Sequence, residues 1–151
     1  MRLAVLAASL LGVLAGAAEA DTPEQLFNNN CAICHQVGGK GVEGQFPRLA
    51  GRAGVIAAMP QGREFLVSLV LNGMSGTVTV DGKKIVGVMP DFSAFADDDL
   101  AAILTYVAGL GGTKAVSFAA DELKAGRAKP VTAPTDLATT RNALQAARVI
   151  P

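Results

Sequence analysis

The chain holds two cysteines and one histidine, and all three stand within five consecutive residues, Cys31-Ala32-Ile33-Cys34-His35. A cysteine pair at this spacing with a histidine directly behind it, C-x-x-C-H, is the attachment signature of a c-type haem. The spacing follows from the chemistry. Two thiols add across the two vinyl groups of a porphyrin as thioethers, and two intervening residues let both sulfurs reach one edge of the ring. His35 then falls beneath the iron as its proximal ligand, so one helical turn holds the cofactor covalently and by coordination. The competing readings are weaker. A closed zinc site needs four ligands, and the cluster supplies two Cys and one His with none elsewhere. A dithiol redox pair belongs between a strand and a helix, a setting the flanking residues do not provide. Whatever fold this chain adopts must therefore wrap a flat apolar disc.

The first twenty residues have the form of an export signal. Arg2 is a short positive region, Leu3 to Ala18 is apolar except for Ser9, and Ala18-Glu19-Ala20 fits an A-x-A cleavage site. Cleavage after Ala20 is expected, with the mature chain in the periplasm and no stable membrane insertion once the leader is gone. The apolar run is shorter than the roughly 20 residues of a membrane-spanning helix. Arg2 and Glu19 leave together, so the mature chain keeps the formal neutrality of the whole. Without a basic stripe to neutralise phosphates, nucleic acid is excluded as a partner.

Beyond the leader the pattern is mainly helical. Thr22-Pro23-Glu24-Gln25 is a capping box with proline at the first helical position, and the helix it opens runs into the Cys motif. Residues 37–54 are glycine-rich, without helical or strand period, and are expected to be irregular backbone lying close to a flat ligand. Phe65, Leu66, Leu69 and Val70 give residues 62–71 a helical stripe, with Gly73 as its stop. Residues 77–80 and 83–88 flank Asp81-Gly82, a two-residue hairpin signal, and the ribbon is expected to be a surface excursion. Asp97-Asp98-Asp99 opens another helix, with Leu100, Ile103, Leu104 and Val107 as its buried stripe. Residues 113–151 contain two short helical units, 121–127 and 135–141, expected to clamp the outside of a domain spanning 21–112.

With His35 used on one side of the iron, the remaining soft ligands are Met59, Met74 and Met89, with lysine, water or no protein ligand behind them. Met89 is favoured. Pro90 forces it into extended backbone, and the more than fifty residues separating it from His35 let the chain wrap the haem edge and return on the other face. Met59 is separated from the proximal side only by the glycine loop, and Met74 would have to reach across from a turn.

The order of capped helix, CAICHQ, GQFPRLAG, LVLNGMSG, TVTVDGKKIVG and VMPDFSAFADDDLAAILTYV resembles class I bacterial monohaem cytochromes c over about residues 22–110. That resemblance implies an all-α fold, here with a small β-hairpin insertion near the distal loop, in which the first and last helices of the domain cross near the haem. Phe27 and Tyr106 match the aromatic positions of the crossing. Pro47 matches the proline whose carbonyl accepts a hydrogen bond from the proximal histidine. Ala96 stands where the family has a capping Ser or Thr, so Asp97 is expected to cap instead.

With one covalent haem c, its iron ligated by His35 and Met89, the expected function is periplasmic single-electron transfer and not enzyme catalysis. The partners implied are periplasmic dehydrogenases, reductases or oxidases. Two alternatives remain: a five-coordinate haem protein that binds a small gas, and the fixed haem subunit of a larger oxidoreductase.

Overall fold

The computed structural model describes residues 20–114 and 116–151, so the expected leader, apart from Ala20, lies outside the described residues. Helix α1, Pro23–Asn30, starts as its sequence dictates. Thr22 Oγ1 accepts from the Gln25 amide at 3.2 Å while Gln25 Oε1 accepts from the Thr22 amide at 2.8 Å, satisfying two otherwise unpaired helix-end donors. The helix does not run on unbroken. It closes at Cys31, and a separate short helix α2, Ala32–His35, carries the rest of the motif.

The glycine-rich stretch is less irregular than its composition suggests. It holds a tight 3-10 turn at Val37–Gly39, an isolated bridge between Val42 and Phe46, and the start of α3, Ala53–Ala57. Helix α4, Pro60–Asn72, begins at Pro60 because proline at the first position gives up only an amide that has no helical partner. It ends at Gly73, whose φ of +69° a side chain would resist.

Strands β1, Met74–Val80, and β2, Lys83–Met89, pair antiparallel from Met74 opposite Met89 to Val80 opposite Lys83. Each is longer than the sequence pattern suggested, and Met74 and Met89 are strand residues, not parts of a turn or loop. The hairpin is not a surface excursion either. Val78, Val80 and Ile85 are buried together with Ala138 of the C-terminal helix. That packing supplies the third partner a two-stranded ribbon needs in water.

Helix α5, Asp97–Gly109, crosses α1, with the Phe27 and Tyr106 rings tilted at 48° and 5.5 Å apart. Its Leu100, Ile103, Leu104 and Val107 are all buried. Asp97 does not cap it: Ala96 occupies that position without a side-chain bond, and the Asp97 carboxylate instead accepts from Arg127 Nε at 2.6 Å.

Two helices follow, α6, Ala120–Arg127, and α7, Pro134–Ala146. Leu123, Leu137 and Ile150 join Phe65, Leu66 and Leu104 in a single apolar cluster, so the tail shares the core of α4 and α5. Along β1, Arg141 and Asn142 donate to the carbonyls of Thr79 and Thr77 at 3.0 Å each, covering the edge of β1 that β2 leaves unpaired. Among the described residues the molecule is thus about half helical with one two-stranded antiparallel sheet, which corrects an all-α description. Among the described residues no helix is long and apolar enough to cross a membrane.

Candidate haem site

The elements enclose a largely apolar cavity of about 420 Å³, into which Cys31, Cys34, His35, Pro47, Met74 and Met89 all project. One wall comes from α2 and the loop behind it. Because α2 is a single turn, Cys31, Cys34 and His35 are brought to the same cavity with no long-range packing required. The glycine loop then folds back on the histidine. Gly41 adopts φ +67°, and a Cβ there would come within 2.6 Å of the Phe46 carbonyl and the Arg48 amide, so only glycine lets the chain turn this tightly. The turn places the Pro47 carbonyl 2.8 Å from His35 Nδ1. A carbonyl can only accept, so Nδ1 carries the proton and Nε2 keeps its lone pair for a metal.

Electrostatics favour a neutral ring. Burial lowers the His35 pKa, and the hydrogen bond to Pro47 only partly opposes it, so the ring is held neutral and able to coordinate. Burial, with Cys34 close by, pushes the Cys31 thiol up to about 11. A dithiol redox pair needs a depressed thiol pKa. Cys31 has the opposite tuning.

A second wall is built by the hairpin. Residues 74, 76, 78 and 80 of β1 share one face with 85, 87 and 89 of β2 because side chains alternate along a strand. All seven line the cavity. Gly73 sets the approach: a Cβ on it would meet the Met89 carbonyl at 2.7 Å. After Pro90 the Phe92 amide donates to the Val70 carbonyl at 2.8 Å, fastening the far end of β2 to α4.

The three methionines considered from sequence separate clearly. Met59 is the exposed N-cap of α4 and does not line the cavity, whereas Met74 and Met89 both do and lie directly opposite one another in the sheet. Sequence reasoning missed the arginines of the lining, Arg48, Arg52 and Arg141. Arg52 and Arg141 are buried, and the latter reaches the cavity from α7, more than a hundred residues from the Cys motif. No local pattern marks it.

Two thiols, a neutral imidazole with a free Nε2, two thioether sulfurs and an apolar cavity between them fit a covalently held haem. The class so defined is a helical protein built around one c-type haem. Residues 18–107 match the family described as cytochrome c oxidase, cbb3-type, subunit III. The chain is also 40% identical over 137 residues to a cytochrome c-552 of Thermus thermophilus, covering 87% of this chain and 90% of the relative. A second cytochrome c-552 from Thermus thermophilus is 42% identical over 107 residues, covering 68% of this chain and 82% of that protein. The chain belongs to the cytochrome c family. It is a monohaem c-type cytochrome whose cofactor is covalent haem c with its iron and whose work is electron transfer.

Proposed function

We propose that the protein is a periplasmic one-electron carrier in which Cys31 and Cys34 would hold the haem by thioether bonds and His35 and Met89 would ligate its iron. When bound, the haem supplies a ferrous/ferric couple. The chain's own residues do the rest. The Pro47 carbonyl fixes the His35 ring and makes Nε2 a stronger donor. Met89, held extended between β2 and Pro90, contributes a thioether, which favours the ferrous state and raises the potential. With both ligands supplied by side chains the iron would keep no coordination site for a substrate, which is why the reading is of a carrier and not an enzyme. Residues 21–112 would form the haem domain and 113–151 an extension fastened onto it, the whole exported by a leader cleaved after Ala20.

The single observation carrying this reading is that His35, oriented by Pro47, and Met89, presented by the hairpin, line one apolar cavity with the only two cysteines. Exposed Ile33, Val86 and Val88 rim the same cavity. They offer a small apolar contact for redox partners such as a periplasmic dehydrogenase, reductase or oxidase, at the low end of interface size, where a carrier can let go after each transfer.

Carbon monoxide provides the test. The ferrous wild type should ignore it at neutral pH, and the ferric form should show the weak far-red band of an iron–thioether bond. Met89→Ala should lose the band, keep covalent haem and bind carbon monoxide readily. Rapid binding by the wild type would favour the gas-binding alternative. The description of the matching family favours one further reading, a haem subunit fixed in an oxidase. Stoichiometric co-purification with an oxidase would support it.

A further inference from the structure

Three arginines line the cavity alongside the thiols and methionines, and they are not equivalent. Arg48 Nε reaches Asp81 at 3.0 Å, and Arg52 Nη1 reaches the same carboxylate at 2.9 Å while its Nη2 donates to the Pro151 carbonyl at 2.6 Å. Arg141 is 6% exposed and, among the described residues, contacts only neutral acceptors: the Thr79 carbonyl at 3.0 Å and Gln145 Oε1 at 3.2 Å. A guanidinium carries five N–H donors. Charged side chains are seldom buried without a partner of opposite sign, because an uncompensated charge in a low-dielectric setting is costly. Burial and the nearby charge of Arg52 lower the pKa of Arg141, so the polypeptide by itself disfavours a cation where it places one.

Arg141 is also held firmly in place. It sits on α7, one turn beyond buried Leu137 and Ala138 and next to Asn142, which ties the same helix to the Thr77 carbonyl. This helix lies outside the residues that match the family, 18–107. Haem c brings two carboxylates of its own, the propionates, and these are the anions that the cavity is due to receive. We propose that Arg141, supported by Arg52, binds a haem propionate, so that the C-terminal extension contributes directly to the cofactor site. This rests on the haem occupying the cavity through Cys31 and Cys34. A fixed positive charge near the iron opposes oxidation to the ferric form, so the extension also raises the reduction potential.

Redox titration of holoprotein variants tests this. Arg141→Gln should lower the equilibrium constant for reduction by about tenfold, the order of effect of one fixed charge in a partly buried setting; for a one-electron couple tenfold is about 59 mV. Arg141→Lys should recover most of the shift. Asn142→Ala, which removes a neighbouring bond between α7 and β1 without removing charge, should lower the melting temperature and leave the potential in place. An unchanged potential in Arg141→Gln, with a melting loss like that of Asn142→Ala, would make Arg141 a structural residue only and overturn the inference. If Arg141→Gln does not accumulate, Arg141→Lys decides through the redox-induced infrared difference spectrum. The propionate carboxylate bands should shift when a forked guanidinium is exchanged for an ammonium, and unmoved bands would refute the contact. The far-red band and covalent haem are followed in every variant. Their absence from the wild type would break the reading of the site itself, whereas their presence with an unmoved potential would break only the arginine assignment.

Discussion

Residues 31–47 and residues 74–89 both line the cavity, yet their side chains arrive there by different routes. On the first wall every group is local: one helical turn carries both cysteines and His35, and a glycine turn brings Pro47 back within 2.8 Å of the ring. On the second wall Met89 depends on the pairing register of β1 and β2, on Gly73 at the end of α4, and on α7 covering the hairpin from beyond residue 134. A covalent anchor tolerates a small, self-contained frame. On the proposed ligation Met89 is held only by coordination and needs the rest of the fold to keep it in place, and the extension supplies part of that hold.

Removing groups from each wall should therefore have different consequences. The largest effect is expected from His35→Ala, which should abolish the six-coordinate spectrum while leaving covalent haem, with free imidazole restoring much of it; an unaltered spectrum would assign the proximal ligand elsewhere. Leu137→Ala, at a buried position of α7, should cost about 2–4 kcal/mol in denaturant unfolding. Its additional mark should be faster carbon monoxide binding, because the hairpin loosens while the Cys31–His35 turn does not.

Two glycine substitutions sharpen the contrast. Gly73→Ala and Gly41→Ala each place a side chain at positive φ against backbone, for about 1–3 kcal/mol of destabilisation apiece. Only Gly73→Ala should open the iron to carbon monoxide, since only Gly73 abuts the Met89 carbonyl. Equal carbon monoxide reactivity of the two variants would erase the distinction between the walls.

The smallest effect concerns the tail. The hydrogen bond from Arg63, followed by the Ala119 amide and the Arg63 charge, lowers the Glu122 pKa against the opposing effect of burial. A carboxylate with a depressed folded pKa stabilises the fold above its unfolded value of about 4.3 and loses that contribution as pH falls through the folded value. Both partners are partly exposed, so the loss should not exceed about 1 kcal/mol. Comparing the melting temperatures of wild type and Glu122→Gln at pH 7 and below pH 4 checks this: the variant should melt lower at pH 7 and the gap should close in acid.

The same contrast explains what the sequence makes legible. Cys31, Cys34 and His35 are contiguous, so their chemistry can be read from spacing, and the helices with strong 3.6-residue stripes, such as α5, can be read from periodicity. The long reach of β1 and β2 cannot. Met74-Ser75-Gly76 has weak strand propensity and is drawn into the sheet by pairing with Gly87-Val88-Met89 and by cover from α7. For the same reason Met74 reads as part of a turn in sequence and stands in the cavity in the fold. Asp97 reads as a cap until Arg127, thirty residues on, is seen to claim it. Arg141 has no sequence signal, because its burial and its place on the cavity are set by tertiary contacts of α7 alone.

Met74 and Met89 share one face of the sheet, so the central question is which sulfur completes the iron's coordination. A proton NMR spectrum of the reduced holoprotein addresses it directly, because the methyl group of a haem-ligating methionine is shifted far upfield by the ring current of the macrocycle. One such three-proton line is predicted in the wild type, retained in Met74→Leu and lost in Met89→Leu. A line that survives Met89→Leu, or its absence from the wild type, would contradict ligation by Met89.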